Sequence, residues 1–462
     1  NPALPPEAFV AAVLEKGLTP IAHLTGKDGN RAFLEARLHA LARMGVENVL
    51  CITGDAHKEG FQGAAKPVYD LDSVLILNLV QALREGIEYP IGPRTAKTTP
   101  FDFFAGAVVN PYKVREPDQM MQFYKLELKI ASGAQYIITQ LGYNLRKLYE
   151  LKQYLQREGL DHVPIIPSVY VPTATIARFM REGSVAGCTI PDALLKALEG
   201  EKKPQRLERA ALMVAAVKGL GFAGAHIGGF GLTHADFLTI IQRASEIGEG
   251  WRERLPELIL TIPGEYYLFP EGKDGFSDAT QPYQIGTALY ELSIVQRLCC
   301  RINQMMIAEG SPGARFFSAR LRDGADGAWR RGFWYNLLAA ADLFKKSAFG
   351  CVQCGDCIAD HLNYTLCSQG KCYKELRNGP CGGSRMDGTC EVDPQQPCVW
   401  NLAYLAALAR HQNPRKFAET LVPPRDWSLN RTHSLANHYK HLDNARRRQQ
   451  VSAKKPDPGE NK

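Results

Sequence analysis

The chain has 462 residues, of which 45% are hydrophobic and 22% charged, and its net charge is +7. This length exceeds what one ordinary core supports, so we expect at least two domains. The composition is that of a soluble globular protein, and no apolar run is long enough to span a bilayer. The opening NPALPPEAFV lacks the basic start and apolar centre of a signal peptide, which favours a cytoplasmic protein. The small positive excess suits an anionic cofactor or substrate, but it is too diffuse to indicate nucleic acid binding.

The first half of the chain alternates between short β-branched runs and helical patterns. Leu34, Leu38 and Leu41 fall on one face of the first such helix. The predicted strands lie in TPIAHLTG, NVLCITGD, FFAGAVVNP, YIITQLGYN, VPIIPSVYV and FAGAHIGGFG. Strands that alternate with helices indicate parallel βαβ units.

These six units precede residue 231 and allow two architectures. They could form an open, doubly wound sheet, or they could belong to an eight-stranded βα barrel. The first strand is not followed by a GxGxxG loop, which disfavours the open dinucleotide-binding fold.

The alternation stops near Trp251, and a helical region with a cysteine-rich segment follows. One predicted helix carries an apolar stripe, formed by Ile285, Leu289, Leu292, Val295, Cys299, Ile302 and Met306. The segments WRRGFWYNLLAAADLF and VWNLAYLAALARH predict helices on either side of the cysteines. We therefore divide the chain into a barrel over 1–248, a helical connecting region over 249–345, a cysteine-rich domain over 346–412 and a basic, partly disordered arm over 413–462.

Eight of the twelve cysteines lie close together in this third segment. They are Cys351, Cys354, Cys357, Cys367, Cys372, Cys381, Cys390 and Cys398. The glycine-rich sequence between them cannot supply a conventional core, so metal or disulfides must hold it. The preceding half resembles an intracellular α/β enzyme, in which clustered cysteines usually bind metal.

The spacing of the first three cysteines, C-x2-C-x2-C in GCVQCGDC, is typical of iron–sulfur ligands. Eight thiolates make two complete four-cysteine sets, and we expect two [4Fe–4S] clusters. One [4Fe–4S] cluster with one zinc ion is the alternative. Cys51, Cys188, Cys299 and Cys300 are expected to be packing residues.

Polar residues stand at the ends of the predicted strands, where barrel enzymes carry their chemistry. The set comprises His23, Thr25, Thr53, Gly54, Asp55, Asn110, Gln140, Tyr170 and 228–230. Singly, Asp55 could cap a helix and His23 could be an ordinary core residue. Together they predict a polar rim.

Over roughly residues 15 to 245 the sequence resembles the methylenetetrahydrofolate reductases. The motifs HLTGKDGNR, GVENVLCITGDAHKEG, KPVYDLDSV, GAQYIITQLGYN and PIIPSVYV resemble successive strand-end motifs of that family. The cysteine segment, with CGDC, NGPCGG and CEVDPQQPCVW, is similar to the C-terminal module that accompanies these reductases in anaerobic one-carbon pathways. The resemblance implies an eight-stranded barrel with a flavin at its rim.

The resemblance also implies roles for individual residues. His23, Thr53, Gly54 and Asp55 would contact the flavin, with the Asp55 carboxylate tuning its potential. Tyr69 and Asp70 match a second flavin-contacting stretch, Lys129 matches a cation that pairs with the flavin phosphate, and Gln140 matches the residue that binds the folate pterin.

The chain departs from the family pattern at several positions. Gly106 replaces a stacking aromatic, Asn110 replaces a histidine and Leu128 replaces an arginine, so FMN is an alternative to FAD. The first two strands of the family barrel, one of which carries a glutamate general acid, have no counterpart here. We expect either that the numbering starts some fifty residues inside the gene product or that the barrel is degenerate.

The resemblance predicts reduction of 5,10-methylenetetrahydrofolate to 5-methyltetrahydrofolate, with electrons supplied through the clusters. Lys371, Lys374 and Arg377 favour an acidic donor such as a ferredoxin, and we expect a homo- or hetero-oligomer. Two alternatives stand beside this function. One is a non-catalytic electron-transfer or scaffold subunit of a larger one-carbon complex, and the other is a zinc-containing, folate-dependent one-carbon enzyme.

Overall fold

The structure is a computed structural model that describes residues 4–286, 291–308, 310–321 and 332–452. Its first half contains the alternating elements that the sequence predicts. In chain order they are α1 (Pro6–Glu15), β1 (Ile21–Thr25), α2 (Arg31–Arg43), β2 (Asn48–Ile52), α3 (Ser73–Glu85), β3 (Glu88–Ile91), β4 (Arg94–Lys97), β5 (Phe104–Val109), α4 (Glu116–Ala131), β6 (Tyr136–Thr139), α5 (Leu145–Arg157), β7 (Ile165–Ile166), β8 (Ser168–Tyr170), α6 (Ala174–Arg181), α7 (Asp192–Gly200), α8 (Lys203–Gly219), β9 (His226–Gly228) and α9 (His234–Ile247).

The strands form a parallel sheet in the order β1-β2-β5-β6-β7, and β8 continues from β7 beyond Pro167 to pair in parallel with β9. All six predicted strands are therefore confirmed. In the part of the chain that the structure describes, no further strand joins β1 to β9, so a closed eight-stranded barrel is not observed. The antiparallel hairpin β3–β4 was not predicted, because its sequence lacks a β-branched run.

Short polar side chains cap the N-termini of several of the helices that cover this sheet. Asn30 caps α2 by accepting a hydrogen bond from the Phe33 amide, and Asn144 and Thr233 cap α5 and α9. Leu34, Leu38 and Leu41 of α2 are buried, as their spacing predicted. Each of these capping residues lies in a loop that follows a strand, and the loops after parallel strands lie at the same edge of the sheet.

The region after α9 is less helical than the sequence predicted. Residues 249–286 form only short 3₁₀ turns and irregular chain, and the helices are α10 (Ile294–Ile307), α11 (Pro312–Leu321) and α12 (Phe333–Phe349). The predicted apolar stripe is wrong at its start. Ile285 lies in irregular chain and Val295 is 69% exposed, because α10 begins only after the Ser293 cap; Leu289 lies outside the described residues.

The C-terminal quarter is an ordered module. It contains α13 (Ser368–Lys371), α14 (Val399–Ala409), β10 (Thr420–Leu421), α15 (Ser434–Tyr439) and β11 (Gln449–Gln450). In the expected basic, partly disordered arm, residues 413–452 pack against the rest of the module, and Phe417, Val422 and Leu435 are buried; 453–462 lie outside the described residues. Within the described ranges, no helix is both long and apolar enough to cross a membrane.

Helix α4 joins this module to the sheet. Every one of its residues from Glu116 to Ile130 is buried, although many of them are polar. Its apolar side chains pack in one core with Trp400, Tyr404 and Phe417 of the module. A helix with two buried faces indicates that the module and the sheet share a core.

Asp72 is a buried carboxylate that ties three elements together. Its Oδ1 caps α3 by accepting from the amides of Val74 and Leu75 at 3.0 and 3.1 Å. Its Oδ2 accepts from the amide of Asn378 in the module at 3.2 Å and lies 3.8 Å from the ammonium of Lys125 on α4. Loss of this carboxylate would leave the buried Lys125 ammonium, which also donates to the Gly379 carbonyl, without its counter-ion and the Asn378 amide without its acceptor.

We predict that Asp72→Ala lowers the free energy of unfolding by about 3–5 kcal/mol, the usual cost of breaking a buried ion pair from one side. Urea unfolding followed by circular dichroism measures it. The control is Asp102→Ala, which breaks the exposed Arg84–Asp102 pair and should cost less than about 1 kcal/mol. Equal effects of the two substitutions would contradict the structural role of Asp72.

Candidate functional site

Four cysteines form a first quartet close to the C-terminal end of α12. Cys351, Cys354 and Cys357 lie on the loop that follows this helix, and Cys367 precedes α13. All four line one small cavity, which is also lined by Lys345, Phe349 and Ser434. The loop requires glycine at position 355, where φ is +74° and a Cβ would lie 1.9 Å from the carbonyl oxygen of Leu429.

The thiols of this first quartet influence one another. Burial raises the pKa of Cys354 to about 11, and the neighbouring Cys357 adds to the shift. Burial raises the pKa of Cys367 to about 12, with further contributions from Cys354, Cys357 and Cys351. Four such thiols can ionise together only if a metal compensates their charge. The donor set therefore fits a metal group bound by thiolates.

The other four cysteines of the segment form a second quartet. Burial raises the pKa of Cys372 to about 12, and the charges of Cys381 and Cys390 add to it. Burial raises the pKa of Cys398 well above its ordinary value, and the charges of Cys381 and Cys372 raise it further. The thiols that influence one another are thus Cys351, Cys354, Cys357 and Cys367 in one set and Cys372, Cys381, Cys390 and Cys398 in the other.

Neither quartet is drawn together around one point. Among the described residues, no group of three or more His, Cys, Asp and Glu side chains is placed to hold a metal ion. A tetrahedral zinc site needs four ligands about 2.3 Å from one centre. A four-iron cluster binds each thiolate to a different iron and needs a wider arrangement.

Cys51, Cys188, Cys299 and Cys300 are buried, as expected of packing residues.

The second quartet belongs to a segment that covers the carboxyl ends of the parallel strands. Lys374 donates a hydrogen bond to the carbonyl of Gly54, after β2, at 2.8 Å. Lys113, after β5, donates to the carbonyl of Ser384 at 2.7 Å. Gly187 approaches Gly382 so closely that a Cβ on residue 187 would lie 2.5 Å from the carbonyl oxygen of Gly382. The cysteine segment therefore contacts the strand-end loops that form the predicted polar rim.

The turn after β2 gathers several residues that the resemblance assigned to a flavin. Thr53 is buried against Ser73, and the Tyr69 hydroxyl donates to the Gly54 carbonyl at 3.3 Å. Asp55 keeps an exposed face, but burial and the charge of Glu391 raise the pKa of its carboxyl, against opposing effects of Lys374, Lys27 and Lys58.

His23 lies on the neighbouring edge strand β1. Its pKa is lowered by burial and by the charge of His226 on β9. His23 thus lies on β1, and Thr53, Gly54, Asp55 and Tyr69 lie in the loop that follows the adjacent strand β2.

Asp70 and Lys129, by contrast, already have partners within the protein. Asp70 accepts hydrogen bonds from Nε and Nη2 of Arg31 at 2.8 Å and from the Trp427 indole nitrogen at 2.9 Å. These bonds lower the pKa of Asp70, although burial opposes them. Lys129 is buried and donates to the carbonyl of Val108 at 2.5 Å. Their assignment to a flavin stays a prediction.

Gln140 and Asn110 meet at a turn between α6 and α7. The Gln140 amide nitrogen lies 3.4 Å from the carbonyl of Ala186, and that of Asn110 lies 2.7 Å from the carbonyl of Gly187. Both side chains therefore hold the turn that faces the cysteine segment. The pterin-binding role of Gln140 stays a prediction.

Gly106 shows why the family's stacking aromatic is replaced. A Cβ at this position would lie 2.2 Å from the ring of Tyr136 on the adjacent strand β6. The Tyr136 hydroxyl donates to the Val49 carbonyl at 2.9 Å, and its ring stacks on Phe104. An aromatic ring from the next strand thus occupies the space beside residue 106, while Leu128 is buried in the core.

Sequence reasoning missed Lys113 and Lys125, which donate hydrogen bonds to the cysteine segment, and it did not predict that Lys129 and Lys374 are buried. Lys113, Lys125, Lys129 and Lys374 are buried. One available signal was the spacing of Lys125 and Lys129, four residues apart in FYKLELKIA of α4, where Leu126, Leu128 and Ile130 are apolar. The proposed docking surface of Lys371, Lys374 and Arg377 is corrected: Lys374 and Arg377 are buried in pairs with Glu391 and Asp356, and Lys371 alone is exposed.

Comparison with known proteins identifies two domains. Residues 7–224 match the family model described as methylenetetrahydrofolate reductase, and residues 336–428 match the model described as methylene-tetrahydrofolate reductase C terminal. The chain therefore contains a methylenetetrahydrofolate reductase family domain followed by a C-terminal domain of the same type. The strands of the sheet lie in or beside the first match, and all eight clustered cysteines lie in the second.

Two individual proteins are similar to parts of the chain. Methylenetetrahydrofolate reductase 2 of Schizosaccharomyces pombe is 24% identical over 206 residues, which cover 42% of this chain and 30% of the yeast protein. The chain thus spans less than a third of that relative. An uncharacterized protein from Clostridium thermocellum, described as binding two copies of 5-methyl-5,6,7,8-tetrahydrofolic acid, aligns with 52% of this chain and 98% of its own, at 14% identity and a TM-score of 0.27.

We predict that Lys129 makes stability depend on pH. Burial lowers its pKa to about 7, whereas an unfolded lysine titrates near 10.4. Between about pH 7 and pH 10 the unfolded state therefore binds a proton that the folded state lacks, and stability should rise with pH in this window. Urea unfolding at pH 7 and pH 9.5 should show a smaller rise for Lys129→Met than for the parent. The exposed Lys218→Met is the control, and an equal reduction of the rise in both variants would show that Lys129 is not responsible.

Proposed function

We propose that this protein is a methylenetetrahydrofolate reductase that receives its electrons through two [4Fe–4S] clusters. The proposal rests on one observation above all: the segment that carries the second cysteine quartet covers the strand ends of a reductase-family domain. In a βα fold of this kind, the strand ends are where reacting groups are bound. Clusters held there are placed next to a substrate.

The first cluster would be held by Cys351, Cys354, Cys357 and Cys367, and the second by Cys372, Cys381, Cys390 and Cys398. The mutual influence of the thiols within each quartet supports this division. The C-x2-C-x2-C spacing of the first three cysteines favours a four-iron cluster over zinc in the first quartet.

A flavin at the turn after β2 would supply hydride chemistry. His23, Thr53, Gly54 and Asp55 would lie along it, and Tyr69 supports the turn through the Gly54 carbonyl. Reduction of the substrate adds a hydride to its methylene carbon, breaks the bond from that carbon to one nitrogen and places a proton on that nitrogen. Two electrons and two protons are consumed, so a one-electron donor must act twice.

An electron-transfer subunit without a flavin is the second candidate. Asp70 and Lys129, two of the expected flavin contacts, are committed to Arg31, Trp427 and Val108. Flavin content separates the two functions, because the reductase should contain one flavin per chain and the subunit none.

We predict that the anaerobically purified protein contains about eight irons per chain, as two four-iron clusters, together with acid-labile sulfide. Cys354→Ser and Cys381→Ser should each lose about four irons, since they remove a ligand from different quartets. Cys188→Ser, which replaces a buried cysteine outside both quartets, should keep all of them. Zinc without sulfide in the parent protein would refute the cluster assignment.

We also predict that reduced ferredoxin or a low-potential viologen drives methylenetetrahydrofolate reduction and that NADH alone does so poorly. The reason is that a two-electron hydride donor needs no cluster, whereas a one-electron donor does. Cys354→Ser, with its flavin intact, should lose the viologen-linked activity. Activity equal to that of the parent would show that the clusters serve only to hold the module together.

A further inference from the structure

Two buried charged side chains lie between the second quartet and the end of β2. Lys374 and Glu391 form an ion pair, and their side chains are only 3% and 7% exposed. Besides this pair, the Lys374 ammonium donates to the Gly54 carbonyl at 2.8 Å. The pair thus connects the cysteine segment with the turn at which the substrate chemistry is proposed.

Glu391 also reaches the second quartet directly. Its Oε1 lies 3.7 Å from the Sγ of Cys381, and its Oε2 is buried without a hydrogen-bond partner among the described residues. Burying two charges costs free energy that their attraction only partly returns. A buried carboxylate beside a ligand thiol is therefore an expensive arrangement that stability alone does not explain.

Reduction adds one negative charge to an iron–sulfur cluster. Nearby charges and hydrogen bonds to sulfur therefore shift its potential, and this influence is strong where water is excluded. The Lys374 ammonium favours the reduced cluster, and the Glu391 carboxylate opposes it. The first quartet has a different neighbour, Lys345, whose ammonium lies 3.7 Å from the Sγ of Cys357 and 2.6 Å from the hydroxyl of Ser434.

We propose that the Lys374–Glu391 pair sets the reduction potential of the second cluster and that this cluster is the one next to the strand-end site. This inference rests on the proposed function, because it needs a cluster in the second quartet. Lys374 acts as a positioning residue that holds Glu391 beside Cys381 and fixes both to the Gly54 turn. The first cluster is tuned separately by Lys345.

The test is a redox titration of the anaerobic holoprotein, followed by electron paramagnetic resonance. Glu391→Gln removes the carboxylate charge at nearly constant shape. It should make the potential of one cluster more positive, by at least tenfold in the reduction equilibrium, which is about 59 mV for one electron. Lys374→Met in the Glu391→Gln background should shift the same cluster back toward negative potential.

Two further variants complete the test. Lys345→Met should shift only the other cluster, and Lys374→Arg, which keeps the charge, should leave both potentials near those of the parent. The inference is overturned if Glu391→Gln moves neither cluster, moves both equally or moves the cluster that responds to Lys345→Met. Loss of the second cluster in Glu391→Gln would also overturn it, because the carboxylate would then serve assembly. A parent protein without two clusters would instead refute the proposed function.

Discussion

The architecture depends on the burial of a polar helix, α4, between the sheet and the C-terminal module. Several of its charged side chains find partners in the module: Glu116 binds Tyr404, Asp118 binds Ser384 and Asn401, and Glu127 binds Arg415. Lys125 binds the carbonyl of Gly379 in the same way. An isolated charge in such a place would cost several kcal/mol. The two matched domains therefore form one cooperative body, and neither can be removed without leaving buried charges unpaired.

This shared core has a consequence for the cysteines. A glycine-rich segment with eight thiols has little apolar surface of its own, and metal would supply much of its folding free energy. The contacts with α4 and with the strand-end loops give the segment a fixed position as well as a shape. Electron transfer over short distances needs such a fixed position, because its rate falls steeply with separation. Attachment to α4 thus serves the proposed electron path as well as stability.

The strand-end site is partly shaped by the module itself. Gly54, at the end of β2, accepts from Tyr69 on one side and from Lys374 of the module on the other. The turn at 186–187 is held by Asn110 and Gln140 and faces Gly382. Groups that the resemblance assigned to cofactor and substrate therefore also position the module. A substitution at the rim should consequently affect the cysteine segment too.

The sequence by itself determined the local features: six strands, the helices between them, the polar residues at their ends and eight clustered cysteines, because each of these follows from periodicity or spacing over a few residues. It also carried the family resemblance over 15–245, which the match over 7–224 supports. It failed where distant segments decide the outcome. The residues of 413–452 are polar enough to suggest a disordered arm, yet Trp427 binds Asp70 and Asn444 binds Asp356 across the fold. The burial of Lys374 and Arg377 was likewise decided by tertiary structure alone. Burial and pairing depend on neighbours that lie from 17 to 357 residues away in the chain, which no local pattern records.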